Sequence, residues 1–170
     1  LTGLANRDLF LKSLCHEMEM VKESISRDNL VLLFLDLDNF KDFNDNYGHD
    51  FGDEVLRHAA DVLTKTCRNA DLIARYAGDE FIILLSGEFP QKDLKRFMDR
   101  LISKLNVPYP INGIDCRLSV SIGIVQYPND ADEISDLLKK ADQAMYAAKA
   151  AGRNQYQFYV DDRSTTMSLD

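Results

Sequence analysis

Apolar runs long enough to cross a bilayer are missing from this 170-residue sequence, and no signal peptide opens it. The expectation is a cytoplasmic segment with no membrane contact of its own, with tethering of a longer chain left open. Basic residues are also in short supply, with 20 Lys and Arg against 28 Asp and Glu and a net charge of −8. Nucleic-acid binding relies on a basic surface, so that class is set aside. Any anionic small molecule must then be met locally, by a cation and a few Lys or Arg. Cysteine is scarce: Cys15, Cys67 and Cys116 are odd in number and lack metal-type spacing, which reads as reduced thiols without an assigned role. Internal repeats and low-complexity stretches are absent. What remains is 45% hydrophobic residues in a length suited to one domain with a sizeable core.

The apolar spacing alternates between helical and extended patterns. A helix starting at Asn6 or Asp8 and running to about Ser26 carries Leu9, Leu11, Leu14, Met18 and Val21. A strand follows from about Leu30 to Asp38. Phe40 to Tyr47 forms a short helix broken at Gly48, and Asp53 opens a longer one with a stripe of Val55, Leu56, Ala59, Val62 and Leu63. Leu72-Ile73-Ala74 and Phe81 to Leu85 form a hairpin, and Asp93 to Leu105 is helical. Arg117 to Gln126 alternates, with Leu118, Val120, Ile122 and Ile124 on one face. Asp132 caps a final helix carrying Ile134, Leu137, Leu138, Ala141, Met145 and Ala148, which Gly152 stops. A last strand spans Tyr156 to Val160. Helices between strands with a central hairpin imply an α+β or α/β layered fold.

Two acidic positions carry the chemistry. In Arg75-Tyr76-Ala77-Gly78-Asp79-Glu80-Phe81, adjacent acids occupy the turn between two strands. Taken alone, Gly78-Asp79 is explained by turn-making. The second position changes the weighing: Asp36 ends the run Val31-Leu32-Leu33-Phe34-Leu35, where an acid is costly to bury unless paired or bound to a cation. By the two-residue period Asp36 and Asp38 share one face, and Leu35 and Leu37 the other. With the central strand beside the hairpin, Asp36 and Asp79 converge on one hard cation. Such oxygen ligands suit Mg²⁺, which keeps several waters and takes one or two carboxylates plus substrate phosphates.

Together these residues resemble the GGDEF domains, diguanylate cyclases that condense two GTP molecules into cyclic di-GMP. The resemblance runs from Leu1-Thr2-Gly3-Leu4-Ala5-Asn6-Arg7 through Asp36-Leu37-Asp38-Asn39-Phe40-Lys41, Asn44 to His49, Gly52-Asp53 and Ala77 to Phe81, and ends with Ala141 to Asn154. Six ordered blocks are far more specific than one pentapeptide. One departure stands out, since the first glycine of the signature is Ala77 here.

The resemblance implies a palm-like, class III cyclase-related α+β fold with a central, mostly antiparallel sheet flanked by helices. It implies a domain over 1–160, with 161–170 as a tail or the start of a linker. Leu1 falls inside a family motif, so the chain is expected to be a piece of a longer protein, with an attached EAL phosphodiesterase or sensory domain as a candidate neighbour. Carried over by motif position, Asp36, the Leu37 carbonyl and Asp79 hold Mg²⁺, with Mn²⁺ as an alternative. Asp79 is also the family's proton acceptor. Glu80 supports the metal or the attacking hydroxyl, or is a solvated hairpin acid.

Asn44 and Asp53 match guanine-reading positions, where a carbonyl and a carboxylate accept from the guanine N1–H and N2 amine. A loop role for Asn44 and a helix N-cap role for Asp53 stand beside that. His49, Phe40, Lys41 and Gly78 match substrate-side positions, Phe40 as packing beneath the nucleotide. Lys149 and Arg153, four apart and on one face if the helix extends so far, match triphosphate contacts, with end-capping as the plain alternative. Arg68 and Asp71 match the RxxD at which cyclic di-GMP inhibits the family, where a surface pair is the bland reading. Two function classes follow. One is an active cyclase, working as a homodimer because one half-site presents one GTP. The other is a catalytically weak or inactive module that binds GTP or cyclic di-GMP and regulates an attached domain.

Overall fold

The computed structural model describes residues 1–25 and 28–162. Ser26, where the first helix was expected to end, and most of the expected 161–170 tail lie outside the described residues. The elements in chain order are α1 (Arg7–Glu23), β1 (Asn29–Leu37), α2 (Phe40–Tyr47), α3 (His49–Thr66), β2 (Leu72–Ala77), β3 (Glu80–Gly87), α4 (Gln91–Leu105), β4 (Tyr109–Ile111), β5 (Ile114–Cys116), β6 (Val120–Tyr127), α5 (Ile134–Ala150) and β7 (Gln155–Phe158). Five strands form one sheet in the order β2-β3-β1-β6-β7, antiparallel throughout except for the β6–β7 pair. The fold is α+β.

β1 is central because it is apolar on both faces. Its odd residues, Val31 to Leu37, pack with Val55, Leu56, Ala59 and Leu63 of α3 and Leu94, Met98 and Leu101 of α4. Its even residues, Leu30, Leu32 and Phe34, pack with Phe10, Leu14 and Met18 of α1 and Leu137, Ala141 and Met145 of α5. Each fully buried Leu or Phe contributes about 1.5–3 kcal/mol, so the two cores hold the strand from both sides. The same alternation places Asp36 and Asp38 toward the α5 side and Leu37 toward α3. α5 comes close to the sheet at Gly123: a Cβ there would stand 2.1 Å from the Ala141 oxygen and 2.3 Å from the Met145 nitrogen.

Three expectations are corrected, and one element is added. α3 begins at His49, after Gly48 at φ +88°, so Asp53 lies in its second turn and is no N-cap. One left-handed glycine ends α2 and starts α3, which no acid between them was needed to do. α5 begins at Ile134 with Glu133 in the capping position, and no side chain caps it. Its end falls at Ala150, so Arg153 lies beyond the helix and does not share a helical face with Lys149. There the Gly152 and Arg153 N–H groups bond the Lys149 and Ala148 carbonyls, a Schellman arrangement with Gly152 at φ +119°. The β4–β5 ribbon went unanticipated, although its Asn112-Gly113 turn, at φ +49° and +79°, was a readable signal.

Candidate active site

The β2–β3 connection is a two-residue turn, Gly78-Asp79, between paired Ala77 and Glu80, with Tyr76 as an extra bulged residue. Gly78 takes φ +45°, and the Arg75 Nε donates to its carbonyl at 2.8 Å, bracing the turn. Ala77 is exposed and is not among the residues with positive φ, so its methyl group meets no left-handed strain. The glycine that the backbone requires here is Gly78.

Because β3 lies antiparallel beside β1, Glu80 pairs directly with Asp36, and the Leu37 N–H donates to the Asp79 carbonyl at 3.2 Å. The Gly-Asp turn is thereby fastened to the end of the central strand. Asp36 is 8% exposed, and its Oδ1 accepts from Lys149 Nζ of α5 at 2.8 Å. Burial pushes the Asp36 carboxyl above the usual carboxylate range; the Lys149 bond pulls it back, and Asp79 and Asp38 push it up again. Glu80 is raised too, first by burial and then by Asp36, Asp79 and Asp142, against the lowering effect of Lys149. Cross-strand pairing with Asp36 and the added charge of Asp142 were not anticipated from the sequence.

Asp38 behaves differently from Asp36. It accepts from both Ser119 and Ser121 hydroxyls and from the Asn154 N–H, so its oxygens are already engaged. Among the described residues no group of three or more His, Cys, Asp or Glu is arranged to hold a metal ion. The donors available are hard oxygens from Asp36, Asp79 and the Leu37 carbonyl, crowded by Glu80 and opposed by one ammonium. That excess of negative charge fits a divalent cation sharing its remaining positions with water and phosphate.

Of the other expected substrate residues, Phe40, Lys41, Asn44, His49 and Asp53 belong to α2 and α3, and Arg153 follows α5. A Cβ on Gly52 would stand 1.9 Å from Asn44 Oδ1 and 3.2 Å from the Phe40 ring, so only glycine lets the Asn44 amide lie against α3 beside Asp53. Phe40 is half-buried against the core. Lys41, His49 and Arg153 are exposed, and no ion pair joins them to the acidic cluster among the described residues.

Arg68 and Asp71 lie in the α3–β2 connection. The Arg68 N–H donates to Asp71 Oδ2 at 2.7 Å and the Asp71 N–H to the Arg68 carbonyl at 3.0 Å, giving a self-closed turn. They open onto a cavity of about 240 Å³ also lined by Leu85, Phe89, Asp93, Arg96, Phe97 and Arg100. The Arg68 and Arg100 guanidiniums lie over the Phe89 and Phe97 rings, 5.7 and 5.4 Å from the centroids. Arg96 and Arg100 were not singled out in the sequence, where only the helical span of Asp93 to Leu105 was read. Near them burial pushes the Cys67 thiol up to about 12, which leaves it unreactive.

The family model described as "Diguanylate cyclase, GGDEF domain" matches residues 1–155. The chain is 40% identical over 161 residues to the bifunctional diguanylate cyclase/cyclic di-GMP phosphodiesterase MucR of Pseudomonas aeruginosa, covering 94% of this chain and 23% of that protein. It is 36% identical over 160 residues to the cyclic di-GMP phosphodiesterase NbdA of the same organism, covering 94% of this chain and 20% of that one. The chain thus spans about a fifth of these relatives' length. The crystal structure of the GGDEF domain of PA1120 (YfiN or TpbB) from P. aeruginosa superposes with a TM-score of 0.89 at 37% identity, covering 95% of this chain and all of that one.

Proposed function

The chain belongs to the GGDEF family of diguanylate cyclase domains, and from that premise we propose that it condenses two GTP molecules into cyclic di-GMP and pyrophosphate. The observation that carries this reading is the convergence of buried Asp36, its strand partner Glu80 and the Asp79 turn around the single ammonium of Lys149. Asp36, the Leu37 carbonyl and Asp79 hold a divalent cation, Mg²⁺ or in its place Mn²⁺. When bound, such an ion offsets charge on the departing phosphates and makes a hydroxyl more acidic. Asp79 accepts the proton of the attacking 3′-hydroxyl, and Glu80 supports the same hydroxyl. Asn44 and Asp53 accept from the guanine N1–H and N2 amine above Phe40. Lys41, Lys149 and Arg153 face the phosphates, His49 lies on the substrate side, and Gly78 leaves open space where the phosphates pass the turn.

One copy presents one GTP, so two copies must face each other as a homodimer. Cyclic di-GMP returns to Arg68 and Asp71, with Arg96 and Arg100 lining the same cavity, and lowers activity. The segment works in the cytoplasm, where GTP is supplied, under an attached EAL or sensory domain. A second reading, a nucleotide-binding module regulating such a neighbour, draws on the relative named as a phosphodiesterase.

The test is incubation of the dimerised domain with GTP and Mg²⁺, with Asp79→Asn as the matched control. Cyclic di-GMP and pyrophosphate form with the native domain and not with the variant. GTP bound but left unconverted by the native domain transfers support to the regulatory reading, and equal turnover by Asp79→Asn removes the metal assignment.

A further inference from the structure

Asp38 is 4% exposed and lies two residues beyond Asp36, immediately after the last residue of β1. Its carboxylate accepts from Ser119 Oγ, just before β6, at 2.5 Å, from Ser121 Oγ of β6 at 2.6 Å, and from the Asn154 N–H at 3.0 Å. The Asp38 N–H in turn donates to the Ser119 carbonyl at 2.8 Å. A residue just past the end of β1 therefore grips, across 116 positions of sequence, the loop that follows α5.

That loop carries an independent sign of being held. Arg153 and Asn154 are consecutive non-glycine residues in the left-handed region, at φ +63° and +49°. Such a pair persists only where the surroundings over-determine it. The Asn154 N–H is fixed by Asp38, and its Oδ1 accepts from Asn106 Nδ2 at 2.9 Å. Lys149, at the near end of the same segment, reaches Asp36.

We infer that Asp38 is a positioning residue: it ties the segment from Lys149 to Asn154 to the strand that carries Asp36, and so fixes where the two cations meet a nucleotide triphosphate. The inference rests on the cyclase reading. It separates two neighbouring acids of one strand face by role, Asp36 toward the substrate side and Asp38 toward the scaffold.

The donor geometry makes a sharp contrast between variants. In Asp38→Asn the amide oxygen can still accept from Ser119 and Asn154, while its NH₂ donates to Ser121, whose hydroxyl reverses its sense. All three contacts survive without the charge. In Asp38→Ala all three are lost.

The experiment measures binding of α,β-methylene-GTP with Mg²⁺ to the full chain by calorimetry, and amide exchange at Asn154 without nucleotide. Asp38→Ala weakens analogue binding about ten-fold or more and speeds Asn154 exchange by a similar factor, while Asp38→Asn stays within about two-fold on both. Should Asp38→Ala unfold, Asp38→Ser, too short to reach Asn154, carries the same contrast. Faster exchange with unchanged analogue binding makes Asp38 a stability residue and overturns the inference, as does a loss in Asp38→Asn equal to that in Asp38→Ala. A native chain that does not bind the analogue overturns the cyclase reading, and the positioning role with it. Native binding matched by Asp38→Ala overturns the positioning role alone.

Discussion

The Lys149 ammonium lies 2.8 Å from the Asp36 carboxylate, with side chains 27% and 11% exposed, and joins the last turn of α5 to the end of the central strand. One cation faces Asp36, Asp79, Glu80 and Asp142, so the site is short of positive charge whatever the net charge of the chain. Anything that removes a negative charge there without removing a hydrogen bond should stabilise the empty fold.

Glu80 gives the clearest measure of this. Its folded-state carboxyl is raised, so the folded chain holds that proton more tightly than the unfolded one. Its favourable contribution is complete at low pH and is lost as pH rises through the raised value. Glu80→Gln is therefore expected to raise the thermal midpoint at pH 7 in EDTA, with the gain fading below about pH 4, the ordinary Glu range. Thermal unfolding at both pH values checks it, and a variant less stable at pH 7 contradicts the crowding.

Guanine selectivity should follow Asn44 and Asp53. Replacing either by Ala is expected to weaken GTP binding by about 1–3 kcal/mol while leaving ATP binding nearly unchanged. Gly52→Ala should do the same without deleting a polar group, because its new methyl occupies the place of the Asn44 amide oxygen. Calorimetry with both nucleotides decides, and equal native affinity for GTP and ATP rejects guanine reading.

Restoring glycine at Ala77 should change little. The residue is exposed and free of left-handed strain, so Ala77→Gly is expected to shift turnover less than about three-fold and to lower stability by up to about 1 kcal/mol. A native domain that is silent, and active only as the variant, would show that the methyl group blocks the site after all.

Cyclic di-GMP affinity should depend on the arginine cavity. Arg68→Ala, and more weakly Arg96→Ala, is expected to reduce it, with GTP turnover retained. Titration of each variant with cyclic di-GMP tests this, and undiminished affinity in Arg68→Ala removes the site.

The layered arrangement, the central strand and the Gly-Asp hairpin were legible because β1 is apolar without interruption and Gly78-Asp79 separates two β-prone runs, while the choice of α+β over α/β came from the family resemblance. Helix starts were less so. Asp53 and Asp132 are good cap residues by type, yet α3 starts after Gly48 at φ +88° and α5 after Glu133 in extended backbone, with no side chain capping either. The pairing of Asp36 with Glu80 depends on strand register, which neither strand encodes by itself. The role of Asp38 was hidden for the same reason, because its partners lie 81, 83 and 116 residues away. Arg96 and Arg100 share a cavity with Arg68 only because α4 packs across the hairpin.

Gly123 gives the site its height. With the α5 backbone resting on it at Ala141 to Met145, Lys149 stands one turn farther along, about 6 Å at the usual rise per residue. A glycine whose only property is the absence of a side chain thus acts as the fulcrum of a short lever, with the ammonium that meets Asp36 at its far end. Any methyl group placed there would push the α5 backbone off the sheet and carry Lys149 away from Asp36.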